Sequence, residues 1–142
     1  MTAERWRTMV FAFAAFAAGA VRAAGVYTNS ASGNWDADAS WTGGKPLAGG
    51  AADVAVVFNG SGAVASTNNL NGTFLLNRMD VVSGAVSLSG NALAFTNNGA
   101  TGPQVSVLGG SATFLNSLAL GNDTGFSAVG AVTNVGAISG KG

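Results

Sequence analysis

Cysteine and histidine are absent from all 142 residues. Without them the chain has no disulfide framework, no thiolate nucleophile, no imidazole base and no Cys/His metal site. Charge is scarce too: 8% of residues are charged, against about a quarter in an average soluble domain. The six basic and six acidic side chains cancel, so there is no basic footprint for nucleic acid or for an anionic membrane. Proline occurs only twice, which leaves the turns to glycine, present at 22 positions, and to asparagine. Hydrophobic residues make up 48%, and the length suits one small domain or a part of a larger one.

The N-terminal segment reads as an export signal. Arg5 and Arg7 precede Met9–Val21, an apolar run without a charge. That run is shorter than the roughly 20 residues a membrane-spanning helix needs. With the small-x-small pattern at Val21-Arg22-Ala23, it predicts a signal helix over residues 1–23 and cleavage before Ala24. A rival cut after Ala20 would leave Arg22 just beyond it. A buried amphipathic helix would need a polar face, which Phe11, Phe13 and Phe16 among alanines do not leave. The processed chain keeps Lys45, Arg78 and Lys141 against Asp36, Asp38, Asp53, Asp80 and Asp123, a net charge of −2, and contains no membrane span. Export without cysteine points to the bacterial cell surface, outer membrane, periplasm or medium.

Two regions follow the signal. Residues 24–50 hold Trp35 and Trp41, the only tyrosine, Asp36, Asp38 and Pro46, and are expected to form an N-terminal cap. Beyond the glycine-rich turn at Leu47-Ala48-Gly49-Gly50, residues 51–142 alternate with a period of two. Val54, Val56 and Phe58 share one strand face. Val82, Val86 and Leu88 are expected to share another, and Leu93 with Phe95 and Val105 with Val107 repeat the pattern. Phe114, Leu118 and Leu120 do so again, interrupted at Asn116. Turn signals separate these runs: Asn59-Gly60, Asn71-Gly72, Ser89-Gly90-Asn91, Asn97-Asn98-Gly99, Gly109-Gly110 and Gly121-Asn122-Asp123.

Short strands with no helix between them mean an all-β chain. A sandwich or barrel would call for longer strands and a larger aromatic core. A right-handed parallel β-helix, or a similar β-solenoid, needs only a few small apolar residues per coil, because neighbouring coils supply the hydrogen bonds. A loose repeat of about 20 to 25 residues fits this. Disorder is the competing reading for so Gly- and Asn-rich a chain, opposed by its low charge and regular alternation. The chain stops at Ile138-Ser139-Gly140-Lys141-Gly142 amid this repetitive texture, so an incomplete solenoid, continued by downstream repeats or a barrel, is expected.

Gly33-Asn34-Trp35, Ala39-Ser40-Trp41, Gly43-Gly44-Lys45-Pro46, Asp53-Val54-Ala55 and Val57-Phe58-Asn59-Gly60 stand in that order behind the signal. This order resembles the N-terminal region of autotransporter-associated β-strand repeat proteins, with a weaker likeness of texture from there to Gly142. The resemblance implies an exported bacterial surface scaffold with an adhesin-like role and no catalytic residues to carry over.

The candidate sites are few. Trp35 and Trp41, with Asp36 and Asp38 between them, could stack on a polysaccharide while the carboxylates bond its hydroxyls, or the indoles could plug the first coil. Asp36-x-Asp38 begins like a calcium loop, but Ser40 stands where a third acid would be needed and no glutamate follows. Coil stacking could pair two of Asp53, Asp80 and Asp123 for glycosidic chemistry, whereas Arg78-Met79-Asp80 reads as a local ion pair. No phosphate-binding glycine motif is present. Asn59-Gly60-Ser61, Asn71-Gly72-Thr73 and Asn122-Asp123-Thr124 fit the glycosylation pattern, which in a bacterium would be mere turns.

The expectation is therefore an exported, non-enzymatic β-solenoid without a metal or cofactor, serving as stalk or adhesive surface. Its partner would be a polysaccharide or the surface of a host or neighbouring cell. A carbohydrate-binding module using Trp35 and Trp41, or a fragment of a polysaccharide-active β-helix enzyme, are the alternatives.

Overall fold

The computed structural model describes residues 25–121 and 123–140; the predicted signal helix, residues 1–23, lies outside them. All the regular structure described is β, apart from one 3-10 turn at Asp38–Ser40. The chain winds into a β-solenoid of about four turns, each with three faces, behind a partial first coil.

That first coil holds β1 (Val26–Asn29), β2 (Gly33–Asn34) and β3 (Trp41–Thr42). The next contains β4 (Ala55–Asn68) and β5 (Phe74–Leu76), followed by β6 (Arg78–Gly90) and β7 (Leu93–Phe95). Then come β8 (Gln104–Val107), β9 (Ser111–Phe114) and β10 (Leu118–Leu120), and finally β11 (Gly125–Ala128), β12 (Ala131–Asn134) and β13 (Ile138–Gly140).

Every strand but β3 lies parallel to its equivalent one turn away. The first face stacks β1, β4, β6, β8 and β11. The second stacks β2, the latter halves of β4 and β6, β9 and β12. The third stacks β5, β7, β10 and β13. Ala55 pairs with Arg78, Arg78 with Gln104 and Gln104 with Gly125, so successive turns take 23, 26 and 21 residues. The loose sequence repeat is thus a strict structural one, because loops such as Asn97–Thr101 absorb the difference outside the ladder.

Parallel pairing in register forces inward positions into columns. Val56, Met79 and Val105 form one column; Phe58, Val81 and Val107 the next; Val64, Val86 and Ala112 a third. Leu88 with Phe114, Phe74 with Leu93 and Leu118, and Leu76 with Phe95 complete the core, and all of these side chains are buried. Large residues therefore need only fit their neighbours above and below.

The corners show why the turn signals fall where they do. Gly62, Gly84 and Gly110 take positive φ of 83°, 85° and 76° at the first corner. A Cβ on Gly110 would run into the Gly84 carbonyl oxygen of the coil beneath it, so glycine is needed there for space as well as for conformation. At the second corner Asn68, Asn91 and Asn116 stand close together. The Asn68 side-chain amide donates to the Asn91 carbonyl at 3.2 Å, and that of Asn116 donates to the same carbonyl at 2.8 Å. Asn77 does similar work at the third corner, donating to the Thr96 and Thr101 carbonyls at 2.8 and 3.2 Å. These amides satisfy carbonyls that the strand ladder abandons at the bends.

Two expectations change. Val82 does not share a face with Val86 and Leu88: it is 40% exposed, while Met79 and Val81 point inward before the corner and Val86 and Leu88 after it. The bend around Gly84 shifts the alternation by one residue, so a strict period of two cannot be carried across it. Nor does Asn59-Gly60 end a short strand: the 14-residue β4 continues past it and pairs with the 13-residue β6 on both sides of the first corner, with the register shifting between Phe58 and Ala63, whereas Ser89-Gly90 does close β6.

The two classes of corner glycine can be separated by denaturation. Gly62 also has positive φ, but its Cβ would meet nothing within 4 Å. Gly62→Ala is expected to cost about 1–2 kcal/mol for the left-handed backbone alone. Gly110→Ala should cost distinctly more, and equal urea midpoints for the two variants would refute the packing role of this corner.

Candidate functional site

The tryptophan-containing segment is the most elaborate part of the chain and closes its N-terminal end. β3 pairs antiparallel with β1, Thr28 opposite Thr42 and Asn29 opposite Trp41, covering the edge that β1 does not give to β4. The 3-10 turn carries the chain across, and its Ser40 carbonyl accepts from the Ser30 N–H at 3.2 Å. Antiparallel pairing at this point reverses the chain and halts the parallel stack.

Both indoles lie inside. Trp35 is fully buried and Trp41 is 7% exposed. Their rings meet edge to face at 5.5 Å, and Trp35 meets Phe74 in the same way at 4.9 Å. Both contacts lie in the favourable range for aromatic pairs. Trp35 Nε1 donates to Ser66 Oγ at 2.8 Å, while Trp41 Nε1 has no partner. Neither indole therefore offers an open face to a sugar. Asp36 and Asp38 remain exposed on the rim.

The rim is held by a lysine. Lys45 Nζ donates to the Asp36 carbonyl at 2.8 Å and stands 3.8 Å from Asp38 Oδ1. Its ammonium thus lies against the Asp36-x-Asp38 segment, and no cluster of three metal-ligating side chains occurs among the described residues. The lysine-aspartate pair is solvent-exposed and contributes little stability.

The other acidic candidates are not brought together. On the first face Asp80 lies between Val57 and Ser106, and its carboxylate accepts from Arg78 Nε at 2.9 and 2.7 Å. The predicted local pair is therefore formed, as residues two apart on one strand face allow. Asp53 lines a cavity of about 150 Å³ with Gly25, Tyr27, Leu47, Gly50, Ala51 and Val54. That lining holds one carboxylate, whereas glycosidic hydrolysis uses two facing each other. Asp123 is exposed, in the turn before β11.

Two participants escape sequence reading. Ser66, the Trp35 acceptor, belongs to the inward set with Val64 on the far side of the first corner, where alternation from Phe58 is no guide. Asn29 is fully buried with neither amide atom bonded, at the position that stacks on Phe58. Nothing in Val26–Asn29 announces that an amide would be placed there.

Among the described residues no helix is long and apolar enough to cross a membrane. The hydrogen-bonding difference between the indoles gives a direct check. Trp35→Phe leaves Ser66 without its donor and is expected to destabilise by about 1–3 kcal/mol. Trp41→Phe removes an unpartnered buried N–H, so its cost should be smaller. Chemical denaturation of both variants measures this, and a larger loss for Trp41→Phe would overturn the assignment.

No protein-family model, curated protein or solved structure matches the chain.

Proposed function

We propose that the chain is an exported, non-catalytic structural segment, a β-solenoid stalk or adhesive surface of a bacterial cell-envelope protein. In this reading it is akin to autotransporter-associated β-strand repeat proteins. The observation that carries the proposal is the plugged first coil set close behind the predicted signal. β1 begins at Val26, shortly after the proposed cut before Ala24, and the indoles that seal the stack follow at once. A chain that emerges N-terminus first and must fold outside the cytoplasm gains from an early cap that protects the first strand edge.

The sides of the solenoid support the adhesive part of the reading. The outward positions of the second face run Ala65, Ser87, Thr113 and Thr133, level with one another from coil to coil and free of charge. Apolar residues project beside them at the bends, with Leu108 53% and Val129 86% exposed. A flat surface of hydroxyls with apolar margins suits contact with a polysaccharide or another cell surface better than capture of a small ligand. With the indoles buried, any glycan contact belongs to this face, and Trp35 and Trp41 hold its scaffold.

Fractionation of bacteria producing the full chain, followed by intact mass, tests the proposal. A product lacking residues 1–23, found in the envelope or medium, is the expected result. An unprocessed chain retained in the cytoplasm would refute it. Adhesion can then be read by pull-down on insoluble polysaccharides, where Thr113→Lys should weaken retention and a Trp41→Phe variant should not.

A further inference from the structure

Asparagine followed by glycine occurs at Asn59-Gly60, Asn71-Gly72 and Asn98-Gly99. The pair is reactive because glycine has no Cβ to shield its amide nitrogen, which lies one rotation away from the preceding side-chain carboxamide. A strand ladder prevents that rotation by holding both residues extended and bonded. The fold treats the three pairs differently. Asn59 stands within β4 opposite Ser83, its Oδ1 accepting from Ser83 Oγ at 3.0 Å, and Gly60 is buried. Asn98 exchanges two backbone hydrogen bonds with Thr101 across a tight turn, each 2.9 Å long. Asn71-Gly72 has neither restraint. It lies in residues 69–73, the loop joining β4 to β5, whereas only residues 91–92 join β6 to β7. Both sides of the loop are pinned. Leu70 is buried, its N–H donating to Asn68 Oδ1 at 3.2 Å and its carbonyl accepting from Asn91 Nδ2, and the Phe74 N–H donates to the Ala92 carbonyl at 2.9 Å. Between these anchors Asn71, Gly72 and Thr73 are exposed and form no hydrogen bond among the described residues. Gly72 has a φ of 78° and open space where a Cβ would stand.

We propose that Asn71 is a self-modification site, at which the folded chain converts its own asparagine to aspartate and isoaspartate. The Gly72 nitrogen gives up its proton to hydroxide and bonds to Asn71 Cγ. The bond from Cγ to Nδ2 then breaks, and the amide nitrogen leaves as ammonia. Water opens the resulting cyclic imide at one of its two carbonyls, giving aspartate from one opening and isoaspartate from the other. One water enters and one ammonia leaves, with no change of oxidation state. The product adds a negative charge to a chain whose formal charges cancel, at the corner bordering the second face. Residues 71–73 belong to no ladder, so the longer isoaspartyl backbone is taken up within the loop. The asparagines that hold the second corner, Asn68, Asn91 and Asn116, are not followed by glycine and keep their amides. This inference does not depend on the export reading.

Incubation of the full chain at mildly alkaline pH, followed by peptide mapping with mass spectrometry, tests the proposal. Aspartate and isoaspartate should accumulate at Asn71, faster as the pH rises, while Asn59 and Asn98 remain amides. In concentrated urea, where ladder and turn are lost, all three positions should react alike, which separates the effect of the fold from that of the dipeptide. Asn71→Gln lengthens the side chain and should abolish the new acidic species seen on ion exchange, with the β circular-dichroism signal retained. Gly72→Ala, which shields the attacking nitrogen, should suppress it. Equal conversion at all three positions in the folded chain, no conversion at Asn71, or an undiminished acidic species in Asn71→Gln would each overturn the proposal.

Discussion

The parallel, in-register ladder between coils is the constraint on which everything else depends. Once Ala55 lies opposite Arg78 and Arg78 opposite Gln104, every inward side chain has a fixed neighbour above and below. Strand spacing in a ladder is about 4.8 Å, which brings side chains of one column into direct contact. Phe74, Leu93 and Leu118 then make a core together, although 44 residues of chain separate the first from the last. A chain with few aromatics and almost no charge can be stable in this way, because each coil need only match its neighbours.

The same ladder dictates the corners. Coils stacked this closely leave no space for a side chain where one bend sits on another, which is why Gly84 and Gly110 lie in line with positive φ. Where backbone carbonyls turn away from their ladder partners, side-chain amides replace them, as Asn116 and Asn68 do at the Asn91 carbonyl. Most of the solenoid's polar requirements are met at its edges, and the inward polar side chains Ser66 and Asn29 lie at and next to the first coil. There Asn29 lies among the capping residues with both amide atoms unbonded.

A stack of identical layers has no natural stop, so its ends must be made by breaking the rule. The N-terminal end does this with an antiparallel strand and two indoles of unequal duty: Trp35 is tied to Ser66 and Phe74, while Trp41 covers it. The last described coil keeps to the rule, and in doing so leaves Phe126, Val132 and Ile138 open. The first coil thus differs from the described coils after it in its antiparallel strand and its paired indoles.

Alternation within a strand was decided by the sequence alone, since neighbouring side chains on an extended chain must point to opposite sides. Val54, Val56 and Phe58, or Leu93 and Phe95, could be placed inward without any structure. The Arg78–Asp80 pair was legible for the same reason, both residues being on one strand face. Turn chemistry likewise marked the bends at Asn71-Gly72 and Gly109-Gly110. What happens between coils was not legible. Whether a bend preserves or shifts the alternation depends on how it packs on the bend beneath it, which is why Val82 turned outward. The burial of Trp35 rests on Ser66 and Phe74, more than thirty residues away, and local sequence cannot say that those will lie one layer below. Only the stacked structure decided that both tryptophans are buried, because the register between layers is a property of the whole winding.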